Sequence, residues 1–433
     1  MNASFPPTAG SAISSAEHPL HGMLKGRVIL QVVPDLDLAS GVEDDVLDVA
    51  GALVAVGARA IIAGPAGTLV GELQARGAEW LHLPTEDAGI GRTLANVRRL
   101  RNIVRTERVA LVHARSRAPA WSAWLATHGP FNRNRGVPLV TTYSGPYSEQ
   151  GRLSRAYNGI MAKGEAVIAS SQFAATLLAR RHPEAAERIC VVPRGVAPEE
   201  FDPEAVPLLR IARQRHAWDV RAEERIVLLP GRLTPWKGHL VLIEAFRRLV
   251  VRLDELGAAP VRLVMAGEAK PGAHYLQHLA RRLEAVGLAE QAVVTEAPEH
   301  WPAALMAADV VVMPSTEPEA FARSALEVLA LGRPLVVSDH GALREVVRVP
   351  PEAATGWRVP PGDPAELARA LHQALERSPE EREAMARRAR RDVELRFSRR
   401  QEVAATLSAY ARAVTGTAPA GVPAVARIQI LDG

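Results

Sequence analysis

From Arg27 onward the chain repeats one pattern: a short run of apolar and β-branched residues, then a stretch in which apolar positions recur every three or four residues. In the first half "RVILQVV", "RAIIAG", "EWLHLP", "VALVHA", "PLVTTY", "AVIAS" and "RICVVP" read as strands, with "VEDDVLDVAGALVAVG" and "LVGELQARG" among the helical segments between them. Strands that stay apolar without alternating are covered on both faces, so the pattern predicts a parallel sheet with crossover helices. Around residues 198–224 the repeat breaks into "PEEFDPEAVPLLRIARQRHAWDVRAEE", which has prolines, many charges and no strand candidate, and reads as a linker. The alternation resumes with "RIVLLPG", "HLVLIEAFRRLVVRL", "VRLVMAG", "HYLQHLARRLEAVG", "QAVVTE", "DVVVMP" and "PLVVSD", a second doubly wound unit.

After "TGWRVPPGDP" only helices follow. The expected organisation is a flexible extension over residues 1–24, a first domain over 25–200 with a last helix, 398–414, crossing back onto it, a second domain over 201–397, and a disordered tail over 415–433. In that tail "ARIQIL" is the one strand candidate. In doubly wound sheets ligands bind beyond the carboxyl ends of the strands, so chemistry is expected in the loops that follow them, in a cleft between two such domains.

The 433-residue length suits two domains of about 200 residues. With 48% hydrophobic and 23% charged residues the composition is globular, and the longest apolar runs are too short to span a bilayer. The first 22 residues lack a basic start and a continuous apolar block, so no secretory signal is expected. The single cysteine, Cys190, lies in a strand-like run and excludes an internal disulfide; a buried thiol and a cytoplasmic location are expected. Net charge is only +4, yet eight arginines and one glutamate fall between Arg92 and Arg117. A solvated helix face and a surface for anionic lipid headgroups both fit this density, while no nucleic-acid-binding motif accompanies it.

Candidate chemistry gathers in two loops of the second half. In "LLPGRLTPWKGHLVLIEAF", Gly231 ends a strand and a helix starts near Gly238; Arg232 and Lys237 lie between them, a fork and a point charge suited to a diphosphate. Lys237 is one of only four lysines in a chain that otherwise uses arginine. In "STEPEAFARSALEVLALGRPLVVSD", Glu319 falls in the loop after a strand and Glu327 inside the helix that Gly332 stops. Glu319 can accept bonds from sugar hydroxyls, Glu327 from a ribose diol, and the amides of Phe321, Ala322 and Arg323 at the helix start can meet a phosphate. Two loop cations, a first-turn acid and a solvated helix acid would explain the same residues without a ligand.

Taken together, "GRLTPWKGHLVLIEAF", "LVMAGE", "ADVVVMPSTEPEAFARSALEVLALGRPLVVSDHGALREVV" and "TGWRVPPGDP" resemble the donor-binding half of the retaining GT-B glycosyltransferases of family four (glycosyl transferases group 1). The first half is similar in "ILQVVPDLDLASGVE", "VHARSRAPAW", "RAYNGIMAKGEAVIASSQFA" and "VVPRGV", so the likeness covers roughly residues 26 to 412. The resemblance implies an α/β fold of two Rossmann-like domains facing across a cleft, with a nucleotide-sugar donor in the second and an acceptor in the first. It places the phosphate-gripping cations on Arg232 and Lys237, the donor-sugar acid on Glu319 and the ribose acid on Glu327. The nucleotide sugar is then a substrate, and neither a cofactor nor a metal is implied. The acceptor implied is a cell-envelope glycan or glycolipid such as lipopolysaccharide.

Several positions depart from the family pattern. Ala320 and Ala322 stand where glycines usually flank the phenylalanine, and a methyl group there would crowd a sugar or phosphate. On the acceptor side the paired glycines are Ser40 and Gly41, and Ser144 occupies the place of a histidine. The polar role of that histidine falls to His113, to Arg115 or to neither; a strand-end His is also a common packed residue. Asp35 and Asp37 have Asp-x-Asp spacing, but two acids make an incomplete metal ligand set. The segment 146–165 sets Arg152, Arg155 and Lys163 beside Tyr147, Tyr157, Ile160 and Met161, as either a basic lip resting on a membrane or an ordinary packed helix. These departures leave a second reading, a catalytically degenerate partner subunit or sugar-nucleotide binder, and a third, an epimerase or phosphorylase on the same architecture.

Overall fold

A computed structural model of the chain describes residues 19–37, 43–85, 89–129, 136–145, 147, 151–268 and 274–417. Ser40 and Gly41, much of the segment 146–150, and the tail from 418 onward, with its strand candidate, lie outside the described residues. The chain divides into two units, one of residues 1–193 with 399–433, the other of residues 194–398.

The first unit runs α1 (Pro19–Leu24), β1 (Val28–Val32), α2 (Glu43–Ala55), β2 (Arg59–Gly64), α3 (Val70–Ala75), β3 (Glu79–His82), α4 (Ile90–Thr106), β4 (Leu111–Ala114), α5 (Arg117–His128), β5 (Leu139–Tyr143), α6 (Arg152–Asn158), β6 (Ala166–Ala169), α7 (Gln172–Arg181) and β7 (Ile189–Val191). Its sheet is parallel throughout, in the order β3-β2-β1-β4-β5-β6-β7. The strand order reverses between β1 and β4, and that point is where an open α/β sheet offers a ligand crevice.

The second unit runs α8 (Leu208–Ala217), β8 (Arg225–Pro230), α9 (His239–Glu255), β9 (Val261–Ala266), α10 (His274–Ala285), β10 (Ala292–Thr295), α11 (Trp301–Ala307), β11 (Val310–Met313), α12 (Arg323–Ala330), β12 (Leu335–Ser338), α13 (Leu343–Val346), β13 (Trp357–Val359), α14 (Pro364–Glu376) and α15 (Pro379–Arg396). Its parallel sheet has the order β10-β9-β8-β11-β12-β13, and the reversal falls between β8 and β11. Along β8 the alternation is visible in the packing: Ile226 and Leu228 join one core cluster, Val227 and Leu229 the other. Both faces are buried, which is why the strand reads as one unbroken apolar run. No helix among the described residues is long and apolar enough to cross a membrane.

Two segments differ from their reading in the sequence. Residues 19–24, assigned to a flexible extension, form α1, whose Leu20 and Leu24 are fully buried in the first unit's core. The stretch read as a linker belongs to the second unit: Phe201, Val206 and Trp218 enter its core, and α8 lies against α11. Its scattered apolar residues escaped notice because prolines and charges interrupt any period. The last helix, α16 (Arg399–Thr415), packs on α1, α2 and β6, with Val403, Leu407 and Tyr410 fully buried.

Candidate active site

In the second unit the loops after β8 and β11 are adjacent because their strands are neighbours at the reversal. Lys237 ends a short 3₁₀ turn, Pro235–Lys237, and its Nζ donates to both carboxylate oxygens of Glu319 at 2.9 Å. Little of either side chain is open to solvent, 13% and 7% respectively. Ser315, fully buried, donates its hydroxyl to Glu319 Oε1 at 2.5 Å. A backbone clasp ties the loops together, since the amide and hydroxyl of Thr316 both donate to the Trp236 carbonyl. Lys237 Nζ also lies 4.5 Å from the centre of the Trp236 ring.

Two glycines make this closeness sterically possible. Gly238 sits at φ +78°, and a Cβ there would come within 1.9 Å of the Pro314 carbonyl oxygen. Gly341, at φ +59°, leads the loop after β12 against the backbone of Glu319, where a Cβ would approach to 2.6 Å. Ala342 then donates its amide to the Glu319 carbonyl, and His340 Nε2 donates to the Ser315 carbonyl at 2.8 Å. Glu319 is thus held by side chain and main chain from three loops.

Arg232 lies in the same loop as Lys237 and is exposed, and Gly231 packs behind the lysine stem. Helix α12 starts at Arg323 with no side-chain cap. Glu327 pairs with Arg323 one turn back at 3.4 Å. Phe321 packs against the core, and Ala322, 3% exposed, is part of it. Ala322 has φ −121° and Ala320 is likewise outside the positive-φ region, so neither backbone requires glycine. The methyl of Ala322 points into packing rather than into the loop space.

In the first unit His113 and Arg115 are buried. His113 Nδ1 bonds the Tyr410 hydroxyl at 2.5 Å and Nε2 the Thr142 hydroxyl at 2.7 Å. A neutral imidazole uses one ring nitrogen as donor and the other as acceptor, and the two hydroxyls satisfy both. Burial, with the Arg115 charge adding to it, holds the His113 pKa well below its usual value. Arg115 donates to Gln31 at 2.9 and 2.6 Å and pairs with Asp45. Both residues tie β4 to its covering helices and have no open face for an acceptor. Ser144, just past β5, is exposed.

Residues 211–392 match the family model for glycosyl transferases group 1, and residues 39–200 that for glycosyltransferase family 4. A D-inositol 3-phosphate glycosyltransferase of Paenarthrobacter aurescens (strain TC1) is 31% identical over 300 residues, covering 65% of this chain and 68% of the relative. The chain belongs to the group 1 glycosyltransferases, of GT-B fold. A glycosyltransferase from Rickettsia africae ESF-5 superimposes with a TM-score of 0.78 at 27% identity, covering 90% of this chain and 99% of that one. Anabaena Alr3699/HepE, solved in complex with UDP-glucose, shares the fold with a TM-score of 0.71 at 22% identity over 88% and 99% of the two chains. The chain spans about half the length of other curated relatives it matches, 43% and 58% for two of them.

Within this group 1 glycosyltransferase the structure brings Lys237 and Glu319 together and sets Arg232 nearby on the same loop. It withdraws His113 and Arg115 into a structural network. Sequence reasoning passed over Ser315, Trp236 and His340, although Ser315 directly follows the strand-ending "VVVMP" and Trp236 adjoins Lys237.

Proposed function

We propose that the protein transfers a sugar from a nucleoside diphosphate sugar to an acceptor hydroxyl with retention of anomeric configuration and without a metal ion. The observation that carries this reading is the buried pairing of Lys237 with Glu319 at the sheet's reversal point. A diphosphate at this point meets Lys237, Arg232 and the uncapped start of α12, all of which favour negative charge. As the bond from the anomeric carbon to the diphosphate oxygen breaks, charge grows on the leaving group and these fixed groups stabilise it. The acceptor oxygen bonds the anomeric carbon on the same face, and its proton passes to a leaving-group oxygen. Glu319 orients Lys237 and accepts from the donor sugar's hydroxyls; Glu327, beside Arg323, is the ribose acid.

The acceptor expected from the sequence is a cell-envelope glycan or glycolipid, whereas the curated relatives are named for D-inositol 3-phosphate, a small phosphorylated polyol. Exposure supports an anionic membrane surface as a further contact: Leu153 is 88% exposed between the exposed Arg152 and Arg155 on α6. The test of the reaction is NMR of the product formed from an α-linked sugar nucleotide. An α-linked product supports the reading; a β-linked product or a divalent-ion requirement contradicts it.

A further inference from the structure

We propose that Trp236 is a positioning residue of the transfer reaction, its indole holding the Lys237 ammonium in place while leaving that ammonium free to pass a hydrogen bond to a diphosphate. The inference rests on the glycosyl-transfer reading above and adds a residue to its machinery. The need for such a residue follows from counting donors. A lysine ammonium has three N–H groups and no acceptor. Two of them are spent on Glu319, at 2.9 Å to each oxygen. With only 13% of the side chain open to solvent, water is a minor partner for the third. A leaving diphosphate is therefore met either by that third donor or by one released from Glu319. In the second case the ammonium has to be held by something other than the carboxylate it lets go.

The Trp236 ring is placed for this. Lys237 Nζ lies over it, 4.5 Å from its centre, within the range at which a ring face attracts a cation. A carbonyl or a second carboxylate in the same position would consume the third N–H. A ring face attracts the charge as a whole, so the ammonium can turn about its Cε–Nζ bond and exchange donors between Glu319 and a phosphate oxygen while the ring retains it. Among aromatic side chains the indole does this best. The ring is only partly buried and joins neither of the clusters to which β8 contributes, so core packing does not account for a tryptophan here. Its main chain is fixed on both sides. Trp236 is the middle residue of the 3₁₀ turn Pro235–Lys237, which the Gly238 amide closes on the Pro235 carbonyl at 3.1 Å. Its own carbonyl accepts the Thr316 amide at 2.8 Å and the Thr316 hydroxyl at 3.2 Å, from the loop that carries Glu319. The loop of the acid thus sets where the ring beside the lysine stands. All these bonds use main-chain atoms at 236, so a substitution there changes the ring and leaves the clasp.

Steady-state turnover of UDP-, GDP- and ADP-sugars by the full chain tests this, comparing the wild type with Trp236→Phe, Trp236→Leu, Lys237→Ala and the Trp236→Leu, Lys237→Ala double variant. Trp236→Leu keeps apolar bulk but no ring face, and its kcat is expected to fall about 3–30-fold with KM changed less than about twofold. Trp236→Phe, which keeps a weaker ring face, should lose less than the leucine variant. In the Lys237→Ala background Trp236→Leu should cost nothing further, because the ring acts through the ammonium. Circular dichroism at the assay temperature shows which variants are folded. If Trp236→Leu is not, Trp236→Phe carries the test alone, through a kcat loss that disappears when Lys237 is absent. A leucine variant as active as the wild type, a loss confined to KM, equal losses for phenylalanine and leucine, or the same loss with and without Lys237 overturns the inference. Wild-type protein that turns over no sugar nucleotide overturns the transfer reading itself, and this role with it.

Discussion

Lys237 and Glu319, 82 residues apart in sequence, meet with the lysine Nζ 2.9 Å from both carboxylate oxygens. Two adjacent strands deliver the partners, and burial makes the pair costly to break: removing one side leaves a charge with little solvent, a loss of about 3–5 kcal/mol. Lys237→Ala is expected to lower kcat/KM for donor turnover by roughly 10²–10³-fold, the cost of one preorganised group facing the leaving charge. Glu319→Ala should fall in the same range, and the double variant should be little worse than the poorer single one, because the two act as a unit. Fully additive losses would mean that they act separately.

The glycines around the pair give a steric prediction. Gly341→Ala and Gly238→Ala both place a methyl against backbone oxygen in a left-handed conformation, whereas Gly257→Ala, at φ +60°, meets nothing within 4 Å. Gly257→Ala should cost only the conformational penalty of about 1–2 kcal/mol in urea unfolding and leave turnover unchanged. The other two should destabilise more and depress turnover by displacing Glu319 or the helix start. Equal behaviour of all three would remove the steric argument.

Tyr410 and His113 give a prediction about the first unit. Tyr410→Phe deletes the hydroxyl that bonds His113 Nδ1 and leaves a buried nitrogen unpaired. A loss of about 1–3 kcal/mol in urea unfolding is expected. A change within a few tenths of a kcal/mol would indicate that the network contributes nothing to holding α16.

Buried histidines set the direction of the pH dependence. His239 is fully buried, and burial, offset by its bond to the Thr234 carbonyl and reinforced by Lys237, pushes its pKa down to about 4. His113 is held low in the same direction. The unfolded chain takes up these protons near pH 6.5, where the folded chain refuses them. Stability is therefore fully present above about pH 6.5 and is lost as pH falls toward 4, on the order of 3 kcal/mol for His239 alone. Urea midpoints from pH 7 to 5 should decline, and His239→Asn should flatten the decline; a profile unchanged by that substitution would contradict the assignment.

Much of the fold could be read from the sequence because strands buried on both faces write themselves as apolar runs, as "RIVLLPG" does for β8. Helix α1 could not, since two leucines in a six-residue helix carry no period until the core they enter is known. The site was legible unevenly. Nothing in the spacing of Lys237 and Glu319 joins them; only likeness to a family does, and the contact is a product of strand order. Arg115 looked like a site residue because it follows a strand, but Asp45 on α2 claims it, a long-range pairing the sequence does not reveal.

The central claim is that the loops after β8 and β11 hold a nucleoside diphosphate sugar through Lys237 and Glu319. Its most direct test is titration of the wild-type, Lys237→Ala and Glu319→Ala proteins with UDP-, GDP- and ADP-sugars in the presence of a chelator, with slow hydrolysis followed in parallel. The account predicts that at least one donor binds the wild-type protein and is hydrolysed without metal, and that each variant loses about a hundredfold in turnover. Wild-type protein that binds none of them, or variants that turn the donor over as well as the wild type, would contradict it.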